Sequence, residues 1–315
     1  MVGRVTERES LRTWLDDVLA GRPRVIAIEG VAGIGKSTLA LWFAERARAA
    51  GALVLSEACV EDGGVPFLPV LGALAPIVAV DDLVRPTVQS ALPTPTSVDP
   101  DRLRLFSGCA TALAAEAKRE PVVLIVEDVH WADEGTTSLL SHLLASLSHS
   151  ALRGPTRIAL LFTARPDAPA VDRLTRQVRR EPDGRVLSLS GLEPLEVHAL
   201  LSRDLGSAPA ATVSGVWEAT EGNPLFVQLL IAAGRDQVQA QDELDIESAI
   251  AALVNHEATD IDALWRQRLD RVGSACGGRR GPRRRHARGA RHRPRSATGA
   301  GSQCDRGCEV VRARR

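Results

Sequence analysis

Eight consecutive residues, "GVAGIGKS" at 30–37, carry the densest chemistry in this 315-residue chain. They fit the spacing G-x-x-x-x-G-K-[ST], the P-loop pattern that cradles phosphate groups. Gly30, Gly33 and Gly35 free the backbone to take positive φ and to turn its N–H groups inward, with Ala32 and Ile34 completing the wall of the cradle. A helix beginning near Lys36 adds its unpaired amides and positive dipole end at the same spot. Lys36 is expected to neutralise β- and γ-phosphates, Ser37 to place a hydroxyl on magnesium, and Thr38 to support the α-phosphate side. The expected ligands are therefore ATP, or its product ADP, and Mg2+.

A second stretch, "PVVLIVEDVHWADEGTTSLL" at 121–140, begins as an apolar strand and stops at two acids, Glu127 and Asp128. Residues 122–126 are aliphatic on both faces, which marks a central parallel strand covered by helices on each side. Carboxylates at its carboxyl end fall where open α/β sheets bind ligands. Read alone, the strand could simply reach solvent there, with Asp133 capping the next helix. Beside a phosphate loop the acids acquire a task. One of the pair is expected to enter the magnesium shell and the other to orient or deprotonate an attacking water.

These groups need a scaffold, and hydrophobic periodicity supplies one. Helical spacing runs through 7–21, strands through 24–29 and 52–57, and a glycine-rich turn leads into a helix across 30–51. The segment 61–100 reads as loop with a short helix. A long helix at 100–120 sets Leu103, Phe106, Cys109 and Leu113 on one face, and further strands read at 156–165 and 184–190. After residue 190 only helices are expected, at 193–206, 214–234 and 261–272. The fold class is α/β: a doubly wound, mainly parallel five-stranded sheet followed by a small helical lid. The expected divisions are a P-loop core at 1–190, an incomplete lid at 191–272 and an arginine-rich tail at 273–315.

Taken together, "GVAGIGKSTL", "VVLIVEDVHWAD", "LLFTARPD" and "EGNPLFVQLL" resemble the ATPase module of the large ATP-binding LuxR-type regulators. These are signal-transduction ATPases with numerous domains (STAND), related to AAA+ proteins. The likeness runs from about residue 5 to 272, with "ERESL" and "LEPLEVHALL" in their expected order. It implies that Asp128 holds the catalytic-acid place and that Glu127 holds the Walker B metal place, where such families more often carry Asp. It also implies a sensor role near the γ-phosphate for Arg165 and an adenine contact for Pro224. Pro224 equally suits the first position of a helix after Asn223. Trp131 is expected to pack in the core.

The bulk numbers narrow the remaining classes. Hydrophobic content of 44% suffices for a packed core, and the longest apolar stretch, 67–80, is too short for a membrane span and is broken by prolines. The charged N-terminus lacks an apolar signal core, so a cytoplasmic protein without membrane attachment is expected. Cys59 and Cys109 read as buried apolar residues, and His142, His149 and His198 as surface groups. Cys304 and Cys308, with His286 and His292, match no standard zinc spacing.

Residues 273–315 hold 13 arginines against Asp305 and Glu309, and nearly no large aliphatic side chain. Disorder is expected there. The segment reads either as an arginine-rich nucleic-acid arm or as the product of a frameshift or truncation near residue 272, and the broken-off pattern "LWRQRLDRV" favours the second. No helix-turn-helix pattern is visible, so DNA binding is not expected from this chain alone, and self-association or missing regulatory domains are the expected partners. Three functions follow: a slowly hydrolysing ATP switch of a regulator, a DNA-loading AAA+ ATPase using its basic tail, and a P-loop kinase for a small molecule. The acid pair with "HWAD" and the "GNPL" turn argue against the kinase.

Overall fold

The computed structural model describes residues 1–61, 65–78, 100–151, 154–166, 168–206, 208–240 and 250. The helix expected at 261–272, the tail at 273–315 and its cysteines and histidines lie outside the described residues.

Strand formation follows from β-branched and aliphatic runs too short and too apolar to be surface helices. The strands are β1 (Arg24–Glu29), β2 (Leu53–Ala58), β3 (Val122–Glu127), β4 (Ile158–Ala164) and β5 (Gly184–Ser188). All pair in parallel, in the order β2-β3-β4-β1-β5. Around them lie α1 (Val5–Leu19), α2 (Lys36–Ala49), α3 (Leu68–Leu74), α4 (Pro100–Arg119), α5 (Glu134–Ala151) and α6 (Pro169–Arg180). Beyond β5 come α7 (Pro194–Leu205), α8 (Ala210–Thr220) and α9 (Pro224–Ala240).

Alternation along the central strands divides the core into two layers. Val122, Leu124 and Val126 of β3 face a cluster that includes Leu71 of α3, Phe106 of α4, Leu140 of α5 and Leu174 of α6. Val123 and Ile125 face the other side with Leu11 and Leu15 of α1 and Leu39 and Phe43 of α2. All five aliphatic residues of β3 are essentially inaccessible to solvent. Their burial contributes roughly 10 kcal/mol gross, which anchors the strand that delivers the acids. A third cluster, built on Val197, Leu201, Val216, Val227 and Leu230, holds α7, α8 and α9 together.

Two element readings need correction. The run 214–234 is not one helix: it breaks at Glu221 (φ 49°) and Gly222 (φ 70°), and α9 starts afresh at Pro224. A proline has no N–H to donate inside a helix, so the chain turns before it. In α4 the buried stripe runs Leu105, Phe106, Cys109, Leu113, Ala117, and Leu103 stands 50% exposed. Leu105 rather than Leu103 lies on the same face as Cys109, four residues on.

Candidate functional site

Because every strand is parallel, Glu29, Glu127 and Ala164 end on the same edge of the sheet. β1 passes at that edge into the loop Gly30–Gly35, and α2 starts at Lys36. Gly33 (φ +74°) and Gly35 (φ +101°) take the left-handed backbone that the loop requires. A Cβ on Gly33 would also stand 2.6 Å from the Leu225 Cβ, so even alanine is excluded there. Gly30 corrects the expectation: it is not among the glycines with positive φ. Its smallness serves close packing, since a Cβ would lie 2.8 Å from the Ile34 Cγ2.

The Lys36 side chain is buried and curls back, its Nζ donating to the carbonyls of Gly30 (2.9 Å) and Val31 (3.0 Å). Ser37 and Thr38 are exposed at the start of α2. The Ile34 side chain is sunk into the core beside α1 and α2, which leaves only its backbone to face a ligand.

The acids of β3 reach the same place from two strands away, with β4 between β3 and β1. The Ser37 hydroxyl lies near enough to the Glu127 carboxylate to favour its charged form. Burial pushes the Glu127 carboxyl above its ordinary range; the nearby Ser37 hydroxyl opposes that rise and the neighbouring Asp128 charge adds to it. Asp128 sits in left-handed backbone (φ 55°, ψ 44°), an uncommon conformation that Asp tolerates better than most residues. Its amide donates to the Thr163 hydroxyl on β4 at 2.9 Å, and its carbonyl accepts from the Trp131 amide at 2.9 Å. A left-handed residue fixed from both sides turns the chain sharply out of the strand. Asp133 caps α5, accepting from the Thr136 amide at 2.9 Å.

Arg165, just past β4, lies with its guanidinium 5.7 Å from the centre of the Trp131 ring. Trp131 packs against the core cluster between the sheet and α3–α6. Cys59, whose amide donates to the Glu127 carbonyl at 2.9 Å, is buried, and its thiol is pushed up to about 12 by burial and by Asp133 and Asp128. It is inert as a nucleophile at neutral pH. Cys109 is likewise buried, His149 and His198 are exposed, and His142 is half-buried against Phe106.

Two side chains escaped the sequence reading. Asn223 precedes Pro224 at the start of α9. Its amide nitrogen donates to the Ala32 carbonyl at 3.0 Å, across 191 residues, and its Oδ1 accepts from the Leu225 amide at 3.1 Å. Arg4, also buried, donates to the carbonyls of Ile34 (3.1 Å) and Ser190 (2.5 Å), while its amide donates to the Glu196 carboxylate at 2.6 Å. Neither residue has a spacing pattern that marks it. The "GNPL" turn could have pointed to Asn223, whereas a single arginine ahead of an amphipathic helix signals nothing by itself.

The Ser37 hydroxyl and Glu127 carboxylate are adjacent hard oxygen donors, a set that suits magnesium when phosphates and water fill the rest of its octahedron. Among the described residues no group of three or more His, Cys, Asp or Glu could hold a metal ion. An ion here would accordingly take most of its ligands from a nucleotide. Among the described residues, too, no helix is long and apolar enough to cross a membrane.

A family model described as "AAA ATPase domain" matches residues 1–158. The curated relative "Uncharacterized protein R02095" of Rhizobium meliloti (strain 1021) is 24% identical over 309 residues, covering 87% of this chain. The chain spans only 28% of that relative's length. Among solved structures, the Aeropyrum pernix ORC2 protein in its ADPNP–ADP complexes is similar with a TM-score of 0.52 and 18% identity, over 79% of this chain and 68% of that one. The Aeropyrum pernix ORC1 protein in complex with DNA is similar with a TM-score of 0.51 and 15% identity, over 80% of this chain and 66% of that one. At these identities the likeness speaks to the fold.

Proposed function

This chain belongs to the AAA ATPase domain family, and from that premise we propose that it binds ATP with magnesium at the Gly30–Thr38 loop and hydrolyses it slowly, as the switch module of a larger protein. One observation carries the reading. The Ser37 hydroxyl and the Glu127 carboxylate, brought from α2 and β3, meet beside the phosphate loop.

Each residue then has a task that its position supports. On nucleotide binding Lys36 exchanges the Gly30 and Val31 carbonyls for phosphate oxygens. The loop amides and the first turn of α2 hold the remaining phosphate charge. Ser37 and Glu127 would hold a magnesium ion, which would supply neutralisation of phosphate charge. Asp128, held by Thr163, orients the attacking water and takes its proton. Arg165 stands beyond β4 as a cation for charge that develops on the terminal phosphate, and Pro224 lines the adenine side. Residues 191–272 serve as the lid over a core at 1–190.

The output of the switch has two readings. A signal-transduction regulator follows from the motifs "HWAD" and "EGNPL". A DNA-associated ATPase draws on the fold that the chain shares with the ORC1 protein in complex with DNA and on the 13 arginines of 273–315, and of the two it has the support of the solved structures. DNA binding at physiological salt that disappears on deleting 273–315 supports the second reading, and unchanged binding removes it.

The nucleotide reading itself is tested with fluorescent ATP and ADP, with and without magnesium, on the full chain and on Lys36→Ala. The expected result is magnesium-dependent binding that the substitution weakens by about 100-fold or more. Equal affinity in both proteins overturns it.

A further inference from the structure

We propose that Asn223 is a positioning residue of the phosphate loop: its side chain ties the Ala32–Gly33 segment to the α8–α9 turn, and that tie slows nucleotide release. The inference rests on the nucleotide reading above and adds to it a residue that regulates how long the ligand stays.

The geometry is specific. Asn223 is only 7% exposed, in a turn forced by left-handed Glu221 and Gly222. Its two side-chain functions point to two different elements. The Oδ1 accepts the Leu225 amide and caps the first turn of α9. The Nδ2 donates to the Ala32 carbonyl in the middle of the phosphate loop. The backbone of the same residue is fixed as well, its amide donating to the Thr220 carbonyl at 2.9 Å and its carbonyl accepting from the Val227 amide at 3.0 Å. A rigid frame therefore presents the amide group to the loop.

The contact lies where the loop leaves no slack. A Cβ on Gly33 would come within 2.6 Å of the Leu225 Cβ and 3.0 Å of the Asn223 Oδ1. Holding the Ala32 carbonyl toward Asn223 fixes the orientation of the peptide unit between Ala32 and Gly33, because carbonyl and amide of one peptide point in opposite directions. The Gly33 amide is thereby oriented before any phosphate arrives. Fixing donors in advance lowers the ordering cost of binding, and a phosphate leaving the loop must work against the same fixed amide. A different residue type would not serve both ends. Serine is too short to span to Ala32, and aspartate caps the helix but has no N–H to offer the carbonyl.

That last contrast gives the experiment. Asn223→Asp preserves the helix cap and replaces the tie by a repulsive contact between a carboxylate oxygen and the Ala32 carbonyl. Asn223→Ala removes both. In the full chain without nucleotide, Asn223→Asp is expected to melt within about 2 °C of the parent, and Asn223→Ala several degrees lower. Release of fluorescent ADP from Asn223→Asp is expected to be about tenfold faster, the loss of one part-buried hydrogen bond. Amide hydrogen exchange without nucleotide is expected to quicken across 31–35 and to stay slow in the first turns of α9. Parent-like ADP release together with parent-like exchange at 31–35 in Asn223→Asp overturns the inference. Failure of the parent to bind nucleotide overturns the functional reading instead, and the exchange measurement then decides on the tie alone: quickened exchange at 31–35 supports it, and parent-like exchange sinks it.

Discussion

The phosphate loop and the turn that presses on it solve opposite problems with similar residues. Gly30–Ser37 is contiguous, and its lysine is held by carbonyls five and six residues away. The turn Glu221–Leu225 is also short and glycine-bearing, yet its partners lie far off in the chain. Leu192 donates its amide to the Gly222 carbonyl at 2.8 Å, and Asn223 reaches Ala32. The first region is shaped for a ligand by local backbone geometry. The second is shaped by the fold and acts on the ligand site only through it. Changes in the loop should therefore register in ligand chemistry, and changes in the turn should register first in the architecture.

The sharpest way to test that contrast is at the acids. Asp128→Asn is expected to lower ATP turnover by about 10²–10⁴-fold while leaving nucleotide affinity near that of the parent, measured by steady-state phosphate release and by equilibrium binding. A parallel loss of binding would mean that Asp128 shapes the site and does no proton work. Next in size, Lys36→Ala is expected to weaken ATP binding by about 100-fold or more, the cost of leaving a buried phosphate charge without its cation. Its melting temperature without nucleotide is expected to fall by no more than a few degrees in thermal unfolding, as the Gly30 and Val31 carbonyls lose a donor.

The turn should respond in the reverse order. Gly222→Ala is expected to destabilise the fold by about 2–3 kcal/mol in a denaturant titration. The residue has φ +70°, and the new Cβ would stand 2.2 Å from the Leu192 carbonyl oxygen. If stability held and only nucleotide affinity fell, the division of labour between the two regions would be wrong.

The smallest effect concerns Glu127. Its folded-state pKa is raised, chiefly by burial, so the folded chain is favoured while the group is protonated and loses that advantage as pH rises through the folded-state pKa. Glu127→Gln removes the charge of this half-buried side chain while keeping an oxygen beside Ser37. The variant is expected to melt higher than the parent at pH 7, and the difference should vanish as pH falls below the ordinary carboxylate range. A constant difference across pH would show that Glu127 is not the group responsible.

Much of the frame was legible in advance, and particular elements show why. β3 announced itself because five aliphatic residues in a row cannot sit at a surface. The β1–α2 unit was equally clear, because its glycines, lysine and hydroxyl have fixed spacing. Leu103 misled because two helical registers of α4 offer plausible stripes, and only packing against α5 and the sheet chooses between them. The run 214–234 misled because apolar spacing continues across "EGN", although Pro224 marks the new start.

Amino-acid order alone determined the parallel sheet, the phosphate loop and the acid-ended strand. Those features depend on side-chain periodicity and on backbone freedom within a few residues. Strand order was beyond its reach, as was the seating of β4 between β1 and β3 with Thr163 under the Asp128 amide. Asn223 and Arg4 were hidden for the same reason. Each is an ordinary polar residue until folding buries it, and then a hydrogen bond must be found. The partner is whichever carbonyl the tertiary packing has brought within about 3 Å.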